Sequence, residues 1–142
     1  LIIRRPGVVP AGRISSSLQS TVDLAPTFLG MLGLPIPRTM TGLDETPVWT
    51  GRQETLRHQV LIENQHQPTT LHIRTLVTDR HKITVHYNHA YGELYDLVED
   101  PGEYRNLWDR PESQALKQEL LLQFLHAEMA RAPRPMPRII GA

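Results

Sequence analysis

The pattern of apolar and polar positions divides the chain into two parts near residue 55. In the second part, residues 71–77 (LHIRTLV) and 82–87 (KITVHY) alternate apolar and polar side chains with a period of two. This alternation is typical of β-strands that bury one face and leave the other in water. Shorter apolar runs at 58–63 and 93–97 predict two further strands. Four short strands, three of them in a meander, predict a small antiparallel sheet.

A helical period follows the predicted strands. The segment DRPE at 109–112 fits a capping box with proline in the first turn, and the helix is predicted to end near Arg131. An amphipathic helix and a sheet with one dry face each need a covering partner, so we expect them to pack together. The predicted apolar face of the helix consists of Leu116, Leu120, Leu121, Phe124 and Leu125.

Residues 1–54 lack this regular pattern. They open with LII, an apolar triplet followed by charge and a Pro-Gly turn, which is typical of the end of a strand buried in a larger sheet. A helix is predicted to begin at Asp23, whose carboxylate can cap it, with Pro26 in its first turn. Gly33 fits the position just after the helix, which leaves Leu32 as its last apolar residue.

These elements predict an α+β fold with two units. Residues 55–142 form a four-stranded antiparallel sheet packed on a C-terminal amphipathic helix, followed by a Pro-rich tail. Residues 1–54 form a strand-loop-helix remnant of a larger α/β domain, and the chain is expected to begin in the middle of that domain. An apolar strand and helix without their usual partners favour self-association through residues 1–34.

The composition excludes several kinds of function. Fifteen basic residues balance fifteen acidic ones in a chain of 142 residues, so no basic excess indicates nucleic-acid binding. No apolar run is long enough to predict a membrane span. The absence of cysteine excludes disulfides, thiolate metal ligands and a cysteine nucleophile, but it leaves the compartment open.

The acidic stretch ELYDLVEDPGEYRNL, residues 93–107, admits a functional and a structural interpretation. A calcium loop of the EF-hand type beginning at Asp96 would place Val98 at its third position and Pro101 at its sixth, so that motif is excluded. A catalytic carboxylate pair would need a pocket, which the sequence does not indicate. We therefore interpret the stretch as a strand that turns, at Asp100-Pro101-Gly102, towards the last helix.

Seven histidines raise the question of a metal site. No HxxxH or HExxH spacing is present, and His72 and His86 are predicted on the wet face of paired strands, so we assign neither a metal site nor a catalytic residue to this chain. His66 differs because it lies in a polar loop between the first two strands. Loops held by a rigid sheet frequently contact ligands, so His66, and then Gln67, are the candidate substrate-adjacent residues.

Several linked motifs resemble the C-terminal third of a sulfatase of the alkaline phosphatase superfamily. The order is a strand with PGVVPAGR, then STVDLAPTFLGMLGLPIP, then TGLDETPVWTGR, followed by IRTLVTDRHK and ELYDLVEDPGEYRNL. The resemblance covers residues 1 to about 130. The matching positions are Gly42, Asp44, Pro47 and Gly51, then Arg74, Thr75, Asp79 and Lys82, and then Glu93–Asp96, Leu97, Asp100, Pro101, Glu103, Asn106 and Leu107.

The resemblance implies a hydrolase of sulfate esters as the full-length parent. Such enzymes use a formylglycine made from a C/S-x-P-x-R motif and a calcium ion, and in the family both lie before the strand at which this chain starts. No C/S-x-P-x-R motif occurs here. The chain is therefore expected to support an N-terminal catalytic domain and to border the substrate pocket, without being catalytic alone.

Two other functions stay open at this point. The parent could be a sibling enzyme that cleaves phosphate or phosphonate esters, a choice that the missing nucleophile would decide. Alternatively, the chain could be a stand-alone, non-catalytic interaction module.

Overall fold

A four-stranded sheet and one long helix form the most regular part of the molecule. The computed structural model describes residues 1–66 and 71–131. Gln67 and the predicted Pro-rich tail lie outside these residues. The four strands are β1 Gln59–Gln65, β2 His72–Thr78, β3 His81–His86 and β4 Gly92–Asp96. They pair antiparallel in the order β1-β2-β3-β4, which confirms the predicted sheet as one continuous meander.

The core lies on one face of this sheet. Leu76, Ile83 and Leu94 sit side by side on neighbouring strands and are fully buried. On the opposite face, the hydroxyl oxygens of Thr75 and Thr84 lie 2.8 Å apart and share a buried hydrogen bond. Because both faces of β2 and β3 contain buried residues, neither strand exposes a whole face to solvent.

The predicted orientation of β2 is wrong. The alternation of Ile73, Thr75 and Val77 with His72 and Arg74 led us to expect the first three on the dry face. These three residues lie opposite the face that carries Leu76. Arg74 lies on the core side, where its guanidinium reaches Glu128 of the last helix at 2.6 Å. An arginine can occupy that side because the helix supplies a carboxylate for its charged end.

The last helix, α3 Gln114–Arg131, covers the core face. It extends to the last described residue, and its buried side chains are Leu120, Phe124 and Ala127. Leu116 and Leu121 pack against the core as partly buried residues. Leu125, which was assigned to the apolar face, is 56% exposed, so the buried stripe runs through Ala127 instead.

The predicted capping box at the start of α3 is also wrong. A 3₁₀ turn, Pro111–Ser113, precedes the helix, and Arg110 rather than Asp109 holds the cap position, with no side-chain cap hydrogen bond. Proline fixes the first turn without needing an N–H partner there. The Gln114 side chain joins the helix to the preceding loop by donating to the carbonyl oxygens of Trp108 and Arg110.

The carboxylate of the last residue of β4 stabilises the turn that follows the strand. The Asp96 side chain accepts hydrogen bonds from the Arg80 guanidinium at 2.8 and 3.0 Å and from the backbone N–H groups of Val98 and Glu99. The Arg80 hydrogen bonds, helped by these N–H groups, lower the pKa of Asp96 to about 2. This acid is a structural element of the turn, as predicted.

The next acidic residues, Asp100 and Glu103, stabilise the segment that follows the turn. Asp100 accepts a hydrogen bond from the Arg105 backbone N–H at 2.7 Å. Glu103, whose backbone has a positive φ of 56°, forms an ion pair with Lys82 of β3. These contacts confirm the structural interpretation of the stretch.

Asn106 then attaches this stretch to β4. Its side-chain oxygen accepts from the backbone N–H groups of Leu94 and Trp108, and its amide donates to the Gly92 carbonyl. The Leu107 N–H donates to the Leu94 carbonyl at 2.8 Å. The Trp108 ring packs flat on Gly92, where an added Cβ would lie 2.5 Å from the ring. Glycine is therefore required at this close approach.

Residues 1–54 contain two short helices, α1 Leu24–Met31, after a 3₁₀ turn at Thr21–Asp23, and α2 Thr46–Trp49. Gly33 adopts the predicted left-handed conformation after α1, with φ of 70°. The helical period places Ala25, Phe28, Leu29 and Leu32 on one face, which we expected to be apolar and covered. This expectation is wrong in part, because Phe28 is 54% and Leu32 is 68% exposed. The buried residues of this helix are Pro26 and Thr27.

The strand predicted for residues 1–3 is not formed in the described part of the chain. Leu1 is 81% and Ile2 is 97% exposed. A strand needs a neighbour to pair its backbone groups, and the four-stranded sheet provides none for these residues. The division into residues 1–54 and 55–142 stays a prediction.

Candidate functional site

His66 directly follows β1, where the structure holds the candidate loop at its base. The His66 backbone N–H donates to the Leu71 carbonyl at 3.1 Å, which joins the two ends of the loop. The His66 side chain is exposed. Exposed side chains on loops that a rigid sheet positions frequently contact ligands. The roles of His66 and Gln67 next to a substrate stay predictions.

Aromatic and imidazole side chains gather at the same end of the sheet. This end contains the last residue of β1, the first of β2, the last of β3 and the first of β4, because the strands alternate in direction. On the core side, His72 and Tyr87 pack with their ring centroids 5.3 Å apart. Ile73 pairs with His86, so His72 and His86 lie on opposite faces, and their predicted common face is wrong.

The other face of this end carries a group of four side chains, His86, His89, Tyr91 and Glu93, which we call the ring cluster. The His86 ring lies 4.9 Å from the Tyr91 ring and 6.4 Å from the His89 ring, measured between centroids. The Tyr91 hydroxyl donates to Glu93 Oε1 at 3.1 Å. This hydrogen bond is the main cause that raises the pKa of Tyr91.

A metal site does not emerge from these groups. Within residues 1–66 and 71–131, no three His, Asp or Glu side chains are placed so that they could share a metal ion. The same part of the chain contains no helix that is both long and apolar enough to cross a membrane.

A buried charge cluster lies where α1, the loop before α2 and the segment before β1 meet. The Asp23 carboxylate accepts from the backbone N–H of Leu43 at 2.8 Å and of Ser20 at 2.7 Å, and it pairs with Arg57 at 2.6 Å. Asp23 holds the N-cap position of α1, as predicted, but its carboxylate makes no cap hydrogen bond to that helix. It instead ties three separate segments together, and it is only 1% exposed.

Glu45 completes this charge cluster in a different way. It is fully buried, 3.6 Å from the Arg57 guanidinium, and neither of its side-chain oxygens has a hydrogen-bond partner in the structure. Burial raises the pKa of Glu45, and the nearby negative charges of Asp23 and Asp44 act in the same direction against Arg57. With one guanidinium shared by two carboxylates, the group functions as a structural joint rather than a catalytic pair.

A groove of about 880 Å³ lies on the side of residues 1–19. Arg5 donates to the Met31 carbonyl and Arg13 to the carbonyls of Val48 and Gln53, so both guanidinium groups hold the walls together. The apolar lining consists of Leu1, Ile2, Ile3, Val9, Ile14, Val48 and Trp49. An open apolar groove of this kind is a surface for packing rather than a site with aligned reactive groups.

Sequence reasoning missed both the ring cluster and the buried charge cluster. The run HYNHAY at 86–91 is a local signal, because it places four ring residues in six positions after a strand. The charge cluster has no local signal, since Asp23 and Arg57 are 34 residues apart and meet only in the folded chain.

Comparison with known proteins places these features in a family. The family described as "N-sulphoglucosamine sulphohydrolase, C-terminal" matches residues 1–130. An N-acetylglucosamine-6-O-sulfatase from Bacteroides thetaiotaomicron is 32% identical over 132 residues, covering 88% of this chain and 24% of the relative. Arylsulfatase A from Bos taurus is 29% identical over 92% of this chain and 31% of its own length. The chain thus spans about a quarter to a third of these relatives.

Solved structures agree with this assignment. BT4656, solved in complex with its substrate D-glucosamine-2-N,6-O-disulfate, superposes with a TM-score of 0.80 at 29% identity, over 93% of this chain and 29% of its own. A phosphonate monoester hydrolase from Silicibacter pomeroyi has the same TM-score at 23% identity, over 94% of this chain and 29% of its own, and shows the shared fold. The chain therefore belongs to the family of sulfatase C-terminal domains described for N-sulphoglucosamine sulphohydrolase.

Proposed function

We propose that this chain is the C-terminal part of a hydrolase of sulfate esters and that it supports the catalytic domain of the same protein. The observation that favours this role is the contrast in exposed apolar surface. Ile2 is 97%, Ile14 is 95% and Leu32 is 68% exposed, although the chain has a finished core under its sheet. Apolar surface of this extent marks a contact with another protein surface. The occupant is the N-terminal catalytic domain that the family implies.

The substrate class follows from the relatives. One is an N-acetylglucosamine-6-O-sulfatase, and another is a Delta 4,5-hexuronate-2-O-sulfatase, 33% identical over 97 residues. We propose a sulfated sugar as the substrate, with His66 and Gln67 beside the pocket. In this arrangement the chain shapes the pocket wall, while the reacting groups come from the catalytic domain.

We assign the formylglycine and the calcium ion to the rest of the parent. The described residues do not fit a calcium site, because the buried carboxylates of Asp23 and Glu45 already share the Arg57 guanidinium. The ion would supply charge stabilisation for the sulfate when bound to its own site. Residues of this chain would hold the sheet end in place against that site.

The test uses the full-length protein and a sulfated sugar, N-acetylglucosamine 6-sulfate. His66→Ala is expected to lower kcat/KM about tenfold, the effect of losing one charge-assisted or neutral hydrogen bond in a shielded site. Gln67→Ala should have the same direction of effect. The matched control is His126→Ala, which removes an exposed histidine on α3 and should leave kcat/KM unchanged.

Two results would contradict parts of this proposal. Equal kcat/KM in wild type and His66→Ala would remove His66 from the pocket. Higher kcat/KM on a phosphonate monoester than on any sulfate ester would favour the alternative parent, a phosphate or phosphonate ester hydrolase, whose fold the Silicibacter pomeroyi enzyme shares.

A third possibility is that the chain acts alone as an interaction module and pairs with a second copy through residues 1–34. Light scattering after size-exclusion chromatography of the chain distinguishes the two candidate partners, which are the catalytic domain and a second copy of the chain. A monomer that binds the separately produced catalytic domain supports the sulfatase role. A stable dimer that ignores the catalytic domain supports the module.

A further inference from the structure

The ring cluster is a built surface for which the support role has no use. It lies at the β3–β4 turn, at the same end of the sheet as His66. The turn is fixed by the His89 N–H, which donates to the His86 carbonyl at 3.2 Å, and by Asn88, whose φ is 60°. A turn held in this way keeps its side chains in one arrangement before any ligand arrives.

The rings present an apolar face to the outside. Tyr91 is 53% exposed, and its ring rests on the His86 ring at 55° between the planes. Because its hydroxyl is bound to Glu93, the ring cannot turn away without losing that hydrogen bond. A tyrosine with a bound polar end and an open ring face provides a stacking surface at small entropic cost.

Polar groups border this face. Glu93 Oε1 accepts the Tyr91 hydroxyl and lies 3.8 Å from His86 Nε2. His86 Nε2 is enclosed and has no hydrogen-bond partner in the structure, so a small rotation of either group would make that contact. The carboxylate retains free acceptor positions, since an ionised carboxylate offers about four lone-pair sites.

This combination fits a sugar ring better than a sulfate group. An open aromatic face matches the C–H face of a pyranose, and a carboxylate beside an imidazole matches its hydroxyl groups. The same carboxylate repels a sulfate at short range. The ligand that fits this surface is therefore a ring that carries several hydroxyl groups.

We propose that the ring cluster is a sugar-binding subsite, in which Tyr91 stacks on a sugar ring of the glycan while Glu93 and His89 bind its hydroxyl groups. The choice of a sulfated glycan rests on the proposed function. The subsite holds the ring of the sugar whose sulfate is cleaved in the catalytic domain, and thereby selects sugar sulfates over small aryl sulfate esters.

Binding and turnover test the subsite separately in the full-length protein. Calorimetric titration with N-acetylglucosamine, which carries no sulfate to be cleaved, should show that Tyr91→Ala weakens binding about fivefold to tenfold, as expected for the loss of one stacking contact. Tyr91→Phe, which keeps the ring, should weaken it less. The control is Tyr104→Ala, since Tyr104 is 92% exposed in the 93–107 stretch and outside the cluster.

The turnover arm compares two substrates. For Tyr91→Ala, the ratio of kcat/KM on N-acetylglucosamine 6-sulfate to kcat/KM on 4-nitrophenyl sulfate should fall about fivefold or more. An equal loss on both substrates would mean that Tyr91 acts on the reacting centre or on folding, and would overturn the subsite. Equal calorimetric affinity of the wild type and Tyr91→Ala for the sugar would also overturn the subsite. The absence of binding by the wild type at millimolar sugar would overturn it as well. Wild-type protein that binds the sugar but hydrolyses neither ester contradicts the proposed function and leaves the subsite supported.

Discussion

The residues before and after position 55 differ in which side chains they bury. From residue 55 onwards, the sheet buries Leu76, Ile83 and Leu94 under α3, and Trp108 and Phe124 belong to the same core. Before residue 55, Ile2, Ile14 and Phe28 face outwards, and the buried residues include Val48 and Trp49 as well as a charge cluster around Asp23. The sheet and α3 thus enclose a hydrophobic core. Residues 1–54 combine a buried charge cluster with exposed apolar side chains.

The largest expected effect tests whether the second part has its own core. Phe124→Ala removes a side chain that is 6% exposed and should lower the free energy of unfolding by about 3–5 kcal/mol. Leu125→Ala, one position away and 56% exposed, should change it by under about 1 kcal/mol. Urea unfolding monitored by circular dichroism measures both. Similar losses for the two variants would mean that α3 packs by a different face.

The next effect tests the joint between the parts. Asp23→Ala leaves the buried Arg57 without its close partner and two backbone N–H groups without an acceptor, so it should cost about 3 kcal/mol. Glu45→Gln keeps the shape and removes a buried charge, and should be neutral or stabilising at pH 7. Because the pKa of Glu45 is raised, its contribution to stability falls as pH rises above its ordinary value of 4.5, and Glu45→Gln should flatten that slope.

Urea unfolding of both variants between pH 4.5 and pH 8 makes this measurement. A loss of stability in Glu45→Gln as large as in Asp23→Ala would show that Glu45 is an ionised partner of Arg57 rather than a buried surplus acid.

The smallest effect concerns the turn after β4. Because the folded pKa of Asp96 is about 2 and its ordinary value is 3.8, its contribution is complete above pH 3.8 and is lost as pH falls through about 2. Asp96→Asn should therefore destabilise the chain slightly at pH 7 and remove part of the acid limb between pH 4 and pH 2. Thermal unfolding across that range checks the slope. Identical acid limbs in the two proteins would mean that Asp96 is not the anchor of the turn.

Sequence reasoning succeeded where one segment contained the whole signal. The period-two runs, the Pro-Gly turn at 101–102 and the long apolar helix each specify their own element, so the order of the sheet and its covering helix could be predicted. The structural interpretation of the acids near Asp96 was right for the same reason.

Sequence reasoning failed where the role of a residue depends on a partner that is distant in the sequence. The side of β2 that faces the core depends on Glu128, which neutralises Arg74 on that side. The role of Asp23 depends on Leu43 and Arg57, which no local pattern connects to it. The ring cluster was within reach of the sequence, but its contacts across β3 and β4 could be recognised only once the register was known.

The attachment of Asn106 to β4 has a consequence for assembly. The outward backbone groups of Gly92 and Leu94 are already bound by Asn106 and Leu107, and the Asp96 carbonyl accepts from the Asp100 N–H. No further strand can add at that edge without breaking these bonds. The β4 edge of the described sheet is therefore closed to a second copy, so two copies of this sheet cannot propagate a fibre through both edges.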